Sequence, residues 1–370
     1  MNKLNNEAFD EVMESVCNTD FIAWERLRNK TIFITGATGL IGYTLIRSLL
    51  YSSDQKGLNV KIIALVRDIN RAKERFLDIP ANDISEATCD DSQNKALASA
   101  DGNGSQLFFI IGDVENLPNI DVPIDYIVHG ASKTASMDFI KKPVETIETS
   151  VLGTMNALRL AKEKKVSGFV YLSSMEIYGY PKKGHKVVES DIGTFSPDDL
   201  RNSYPISKLA CESLCKSYAS EYKLPIMVAR LTQTFGPGVN YNDGRIFAYF
   251  GRCIAENKDI VLKTAGETER SYLYTSDAVT AILTILLNGR SGESYNVADE
   301  KTYCSIAQMA KDIADDNDLK VIIEDNKTAY ENGYMDTLYI NLNTSAIRSL
   351  GWTPNTLNTK DMITKMSEYW

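Results

Sequence analysis

Tyr204 and Lys208 stand four residues apart in SYPISK, at the head of a stretch with helical apolar spacing. Side chains at i and i+4 share one helix face, so the ammonium lies beside the phenol. Together with a cationic nicotinamide it would draw the phenol's pKa down towards neutrality. A phenolate so placed takes the proton of a substrate hydroxyl while hydride leaves the same carbon. About 30 residues upstream, Ser173 and Ser174 end an apolar run and are placed to hydrogen-bond that hydroxyl. Glu176 follows in LSSMEIYG. A carboxylate there is either a solvated loop residue or a base aimed into a cleft. Next to a carbon already oxidised to a ketone, a base removes an acidified proton or guides loss of a neighbouring carboxylate, because the carbonyl delocalises the charge.

Hydride chemistry needs a dinucleotide, and Gly36, Gly39 and Gly42 offer its holder. They are spaced G-x-x-G-x-x-G between the β-branched run TIFITG and the helical pattern ATGLIGYTLIRSLL. Strand, tight turn and helix in that order bring backbone N–H groups and the positive helix end to a pyrophosphate. Ribose selectivity belongs just after the second strand, in IIALVRDINRA. An acid there accepts from the 2′-OH of NAD, and a base favours the 2′-phosphate of NADP. The stretch holds Arg67, Asp68 and Arg71, so NAD is expected with NADP open through Arg67; both charges also read as loop solvation. Asp113 in GDVEN reads either as an adenine-side contact or as a helix cap.

Elements that would position these groups follow in sequence. Apolar runs occupy 59–66, 105–112, 124–130, 166–174 and 224–230, with helical patterns over 144–165 and 207–222 among those between them. Continuous apolar strands alternating with helices predict a parallel sheet covered on both faces, an α/β doubly wound fold of Rossmann type. It should span residues 29–235. A helical extension (1–28) precedes it, and a smaller α/β substrate-facing lobe (236–370) is interleaved with it, where FGPG, NDG, NGRSG and LGWTPN turns break the pattern. Residues 79–104 are polar, acidic and turn-rich, and read as a surface insertion.

Composition sets the outer limits. The 370 residues suffice for a full core, and 44% hydrophobic with 24% charged residues is ordinary for a globular protein. No apolar run approaches the roughly 20 residues of a spanning helix, so no membrane insertion is expected. The N-terminus is acidic and helical in pattern rather than basic then apolar, which argues against a secretory signal and for the cytoplasm. Six cysteines (Cys17, Cys89, Cys211, Cys215, Cys253, Cys304) include no Cys-x-x-Cys pair, and with two histidines no zinc site is expected. Cys211 and Cys215 read as small buried apolar residues. A net charge of −9 argues against a nucleic-acid surface, while a few local donors still suffice for a nucleotide.

From about residue 29 to the C-terminus, the succession TGATGLIG, VHGAS, VLGT, LSSMEIYG, YPISK, ARLTQTFGPG, RSYLYTSD, ESYNVA and LGWTP resembles the extended short-chain dehydrogenases/reductases of the nucleotide-sugar epimerase, dehydratase and decarboxylase group. The resemblance implies a nucleotide-diphosphate sugar as substrate, and Ser174, Tyr204 and Lys208 as the set that oxidises and reduces its C4. It places Gly36, Gly39, Leu40, Ile41, Gly42, Arg67, Asp113, Val114, Ala131, Ser132, Tyr204 and Lys208 along the cofactor. It also implies that Arg270 reaches the diphosphate or a substrate carboxylate, with Ser173 and Arg245 as further substrate contacts. Arg245 reads equally as a solvated loop arginine, and His129 and Arg230, at strand ends, are assigned to packing or backbone hydrogen bonding. A homodimer through the VLGT and YPISK helices is expected, whose apolar faces (Val151, Leu158, Leu209, Leu214) suit that or the core.

Three departures shape the expected reaction. Ser150 stands where the group usually carries Asn, so the supporting hydrogen bonds should differ. Met175 stands where 4,6-dehydratases resemble STDEVYG with an acid, and a thioether cannot protonate a departing hydroxyl. At the position of Glu176, simple 4-epimerases tend to carry Thr, whereas UDP-glucuronate decarboxylases keep a Ser/Thr-Glu pair. The expectation is a redox-neutral cycle ending in decarboxylation of a nucleotide-linked hexuronic acid or epimerisation of a nucleotide sugar. An NADPH-dependent reductase of a nucleotide-linked ketose or polyol precursor, and a non-catalytic nucleotide-sensing protein, are the alternatives.

Overall fold

The computed structural model describes residues 6–77, 79, 84–87, 106–134, 136–324, 337–355 and 357–370. Strands β1 (Thr31–Thr35), β2 (Lys61–Val66), β3 (Ile84–Ala87), β4 (Gln106–Ile111), β5 (Tyr126–His129) and β6 (Gly168–Ser174) belong to one large sheet. A second sheet takes β7 (Lys186–Val187), β9 (Gln233–Phe235), β11 (Glu269–Tyr274), β13 (Asp299–Ser305) and β15 (Tyr339–Leu342). Between these in sequence, β8 (Ile226–Leu231) and β12 (Ser294–Val297) return to the large sheet, and β10 (Ile260–Leu262) pairs with β14 (Val321–Ile323). The helices are α1 (Asn6–Cys17), α2 (Leu40–Lys56), α3 (Ile69–Arg75), α4 (Ser136–Lys141), α5 (Pro143–Lys164), α6 (Ser203–Tyr222), α7 (Ile246–Glu256), α8 (Thr275–Asn288), α9 (Ile306–Asn317), α10 (Ser345–Arg348) and α11 (Thr359–Glu368).

The large sheet is wholly parallel, in the order β12-β8-β6-β5-β1-β2-β4-β3. Successive strand side chains point to opposite faces, and β1 shows the consequence. Ile32 and Ile34 join a core cluster with Leu45, Ile46 and Leu49 of α2 and Val279 and Ile282 of α8. Phe33, between them, joins another with Ala157 and Leu158 of α5 and Cys211 and Cys215 of α6. Both faces are therefore covered by helices, which is why the strands read as unbroken apolar runs. The same layering buries the two cysteines.

Strand order reverses at β1, whose neighbours are β2 on one side and β5 on the other. In open parallel sheets the ligand crevice forms at such a switch point, beyond the carboxyl ends of the strands. Ser174 is the last residue of β6 and Glu176 lies in the turn that follows it.

One feature was not legible beforehand. Part of the 79–104 stretch is strand β3, which extends the sheet beside β4; the remainder lies outside the described residues apart from Ile79, as does Cys89. Segments from both sides of residue 235 enter both sheets, since β7 pairs with β15 and β12 with β8. The described part of the N-terminal extension is α1, which packs on α2 and α8, and a short turn of 3-10 helix at Trp24–Leu27. No helix among the described residues is long and apolar enough to cross a membrane.

Candidate active site

The glycine turn makes a close backbone cradle. Gly36 has φ +73°, and a Cβ there would lie 2.8 Å from the carbonyl of Gly130 at the end of β5. At Gly42 a Cβ would lie 2.3 Å from the Gly36 oxygen, so only glycine lets α2 start this tightly under the turn. Gly39 is the N-cap of α2 and exposed, which leaves the helix's positive end and its first N–H groups facing outward, with Leu40 and Ile41 in the first turn. This cradle fits a dinucleotide pyrophosphate.

Across the turn, the Thr35 hydroxyl accepts from the backbone N–H groups of Gly130 and Ala131 at 3.2 Å each. Its own proton is thereby left for His129 Nδ1 at 2.7 Å, so Nε2 carries the histidine proton towards Thr154 Oγ1 at 3.2 Å. Burial, with the Lys208 charge, pushes the imidazole down to about 3 and keeps it neutral. His129 thus makes side-chain hydrogen bonds where packing or backbone bonding was expected, and it fixes β1 against the Gly130-Ala131-Ser132 turn. Ser132 Oγ lies 3.5 Å from Ser150 Oγ, and the Ser150 carbonyl accepts from the Cys211 thiol at 3.2 Å.

On the ribose side, Asp68 is the N-cap of α3, its Oδ1 accepting from the N–H groups of Asn70 and Arg71. Arg67 is well exposed and 3.9 Å from Asp113. Asp113 accepts from the Glu115 N–H at 3.1 Å, while the carbonyl of buried Val114 is held by the Asn156 amide at 3.0 Å. The second and fourth strand ends are therefore joined by opposite charges at the rim of the crevice.

Beyond β6 the chain makes a turn of 3-10 helix, Met175–Tyr178, capped by Ser174, whose Oγ accepts from the Glu176 N–H at 3.2 Å. The Ser174 proton is free for another oxygen, and its hydroxyl lies near enough to Tyr204 to pull that phenol's pKa down. Ser173 points the other way, as strand alternation requires. Its hydroxyl is buried and donates to Glu212 at 2.6 Å, so the substrate contact expected of it is not what the structure places there.

Tyr204 and Lys208 sit on the first turns of α6 and both are buried. Lys208 Nζ donates to the Leu172 carbonyl at 2.8 Å and lies 5.6 Å from the Tyr204 ring centroid. Burial draws this ammonium down to about 8. The phenol moves the other way: burial, then the Glu176 charge, raise it, against Ser174 and Arg245. The lowering expected here needs the cationic nicotinamide beside Lys208; in the protein alone desolvation raises the phenol.

Glu176 faces this phenol between two arginines. Its carboxylate is 3.8 Å from Arg201, and although a quarter of its side chain is accessible, burial raises its pKa against the pull of Arg201 and Arg270. Arg270 donates to Gln233 at 2.8 Å, and its buried Nε has no partner among the described residues. Arg245 is paired with Asp243 at 2.6 Å and is half-buried at the N-cap of α7. Met175 is buried in a small cluster with Ile177, Tyr178 and Val187, its sulfur accepting from Thr232.

Sequence reasoning missed Arg201 and Phe139. Arg201 lies in the turn Leu200–Asn202, three residues before Tyr204, in a stretch that reads as polar loop; its i−3 spacing was the available signal. Phe139 comes from α4 and stacks on Tyr204, a contact with no local sequence signature.

A family model described as "NAD dependent epimerase/dehydratase family" matches residues 32–298. The chain belongs to this family. Among curated proteins, a human dTDP-D-glucose 4,6-dehydratase is 26% identical over 88% of this chain and 85% of its own length. UDP-glucuronic acid decarboxylase 6 of Arabidopsis thaliana is 31% identical over 54% of this chain and 59% of its own. A solved dTDP-glucose 4,6-dehydratase from Streptomyces venezuelae, with NAD bound, shares the fold at TM-score 0.68 and 22% identity, covering 92% of this chain and 96% of that one. The Gly36–Gly42 cradle has backbone room for the NAD on which this family depends.

Proposed function

We propose that the chain is a cytoplasmic, homodimeric enzyme that modifies a nucleotide-diphosphate sugar by transient oxidation at C4, with decarboxylation of a nucleotide-linked hexuronic acid as the favoured outcome. The observation that carries it is Glu176, a carboxyl group raised by burial yet flanked by Arg201 and Arg270, facing Tyr204 and Ser174. The names of the relatives, which include dTDP-glucose and UDP-glucuronic acid, support a sugar nucleotide.

NAD, when bound, supplies the acceptor for the C4 hydride and gives it back. Tyr204 takes the C4 hydroxyl proton, helped by the Ser174 hydroxyl and held by Lys208. The C4 ketone makes a neighbouring carboxylate leave as carbon dioxide, and the electron pair stays on the carbon it left. Glu176, with its raised pKa, is suited to deliver the proton that carbon needs. The two guanidiniums suit the anionic group of the substrate. Epimerisation through the same carboxyl is the second outcome if the substrate carries no carboxylate. Dehydration is disfavoured, because Met175 is buried and has no proton to give.

Dimerisation is supported by the outer face of α5, where Val144, Ile147 and Leu152 are exposed. Leu158 belongs to the core instead, and Leu209 and Leu214 are partly buried against core clusters.

Incubation with UDP-glucuronate and NAD, read by mass spectrometry, should show loss of carbon dioxide, and Tyr204→Phe should abolish it. No mass change with any nucleotide-linked uronate would overturn decarboxylation.

A further inference from the structure

Behind the site lies a buried polar network that the chemistry above does not use. Arg230 of β8 is buried and donates to both Glu212 oxygens, with Nη2 2.7 Å from Oε2 and Nε 3.1 Å from Oε1. Its Nη1 donates to the Tyr178 hydroxyl at 2.8 Å and to the Glu189 carbonyl at 2.6 Å. Tyr178 in turn donates to the Asn296 side chain, whose amide donates to the Val187 and Asn343 carbonyls at 3.1 Å each. Glu212 also accepts from Ser173. Every arm ends on a named partner, as a buried charge requires.

Where those arms end matters. Glu212 lies one helical turn beyond Lys208 on α6. Ser173 is the residue before Ser174, and Tyr178 is the last residue of the turn that carries Glu176. One guanidinium therefore ties the helix bearing Tyr204 and Lys208 to the turn bearing Glu176, and both to the second sheet through β7. We propose that Arg230, through Glu212 and Tyr178, is a positioning residue that keeps the Glu176 carboxyl in register with Tyr204, so that the step after C4 oxidation follows it. The proposal rests on the C4-oxidation reading above. Planar bidentate geometry is what makes arginine suited to it, since a lysine would hold one arm and lose the others.

Tyr178→Phe is the sparing test: it removes one hydroxyl, and the Arg230–Glu212 pair and the Glu189 arm remain. With NAD and UDP-glucuronate as probe, absorbance at 340 nm should rise at close to the unaltered rate, while its decay and product formation slow by between about tenfold and a hundredfold. KM should stay near its original value. Amide hydrogen exchange over residues 175–179 should quicken while β6 and α6 keep their protection. If both phases match the unaltered chain, or both slow equally, the positioning role is overturned. Should this variant not fold, Ser173→Ala removes one hydroxyl from the opposite end of the network and is read the same way. Absence of any 340 nm change even in Glu176→Gln, whose later step is blocked, with UDP-glucuronate or dTDP-glucose, would overturn the C4-oxidation reading itself and the positioning role with it.

Discussion

The Tyr204 ring lies flat against the Phe139 ring, with centroids 4.3 Å apart and planes 6° from parallel. The pair is tied a second time by the backbone, since the Ser203 hydroxyl donates to the Phe139 carbonyl at 3.1 Å. A near-parallel pair at this separation is compatible with the offset stack that aromatic rings favour, and it packs α4 against α6. It shields one face of the phenol from water, and burial is the first cause of that phenol's raised pKa.

Phe139→Ala should therefore lower the Tyr204 pKa. A group that works as a base is lost to protonation at low pH, so the acid limb of the kcat/KM profile should move to lower pH. Maximal rate should fall about tenfold as the ring loosens, and stability by about 3 kcal/mol for a buried aromatic. A profile that keeps its acid limb would assign the raised phenol to other neighbours.

Glu176→Gln keeps the side chain's size and removes its proton chemistry. Turnover should fall at least about a hundredfold, the usual contribution of a positioned acid or base. Tyr204 and Ser174 are untouched, so absorbance at 340 nm should appear on mixing and persist. Retained turnover would return Glu176 to the role of a solvated loop residue.

Much of this arrangement was legible in SYPISK, TGATGLIG and LSSMEIYG, because each function there is carried by residues near in sequence and fixed by one turn type. Gly36, Gly39 and Gly42 needed only their spacing, and the layered core followed from unbroken apolar strands. Spacing alone did not separate Ser173 from Ser174; the resemblance chose Ser174, and β6 turns Ser173 to Glu212. The Phe139 stack and the Arg230 network join segments many tens of residues apart, and such contacts are set by packing alone. The burial of Tyr204 was hidden for a related reason: the Lys208 charge was visible in sequence, but the desolvation that raises the phenol in the protein alone was not.

Arg67 tests cofactor choice. Asp68, the acid nearest the expected ribose position, already caps α3, whereas Arg67 is exposed and only loosely paired with Asp113. A charge-assisted hydrogen bond to a 2′-phosphate contributes about 1.5–3 kcal/mol. Arg67→Ser should accordingly weaken NADP by about tenfold or more and leave NAD nearly unchanged, as read by dissociation constants for the two dinucleotides. Equal effects on both would leave Arg67 as loop solvation.

Lys208 sets an upper pH limit. Burial draws its pKa down to about 8, so the ammonium is present below that pH and is lost as pH rises through it. Activity should decline above about pH 8 for this reason. Lys208→Arg, whose charge persists, should be slower at neutral pH because its planar head misfits the Leu172 carbonyl, yet its alkaline limb should lie higher. Coincident alkaline limbs would place that titration elsewhere.

Asp277 governs stability rather than chemistry. It lies buried in the first turn of α8 and accepts from the Asn355 N–H at 2.9 Å, while the Asn355 side chain donates to Ser15 of α1 and to Ser276. Burial, helped by Asp299, pushes it up to about 7 against the Asn355 bond. An unfolded aspartate titrates near 3.9, so between about pH 4 and pH 7 the folded chain holds a proton that the unfolded chain has lost. Stability then falls as pH rises through that window, and the loss is complete above it. About three pH units correspond to at most a few kcal/mol. Asp277→Asn keeps an oxygen for the Asn355 N–H and carries no charge. Its melting temperature should drop less between about pH 5 and about pH 8 than that of the unaltered chain, and at the higher pH it should be the more stable of the two. Parallel melting curves across that range would mean that Asp277 ionises in the folded chain as it does in water, and that water reaches the junction of α1, α8 and Asn355.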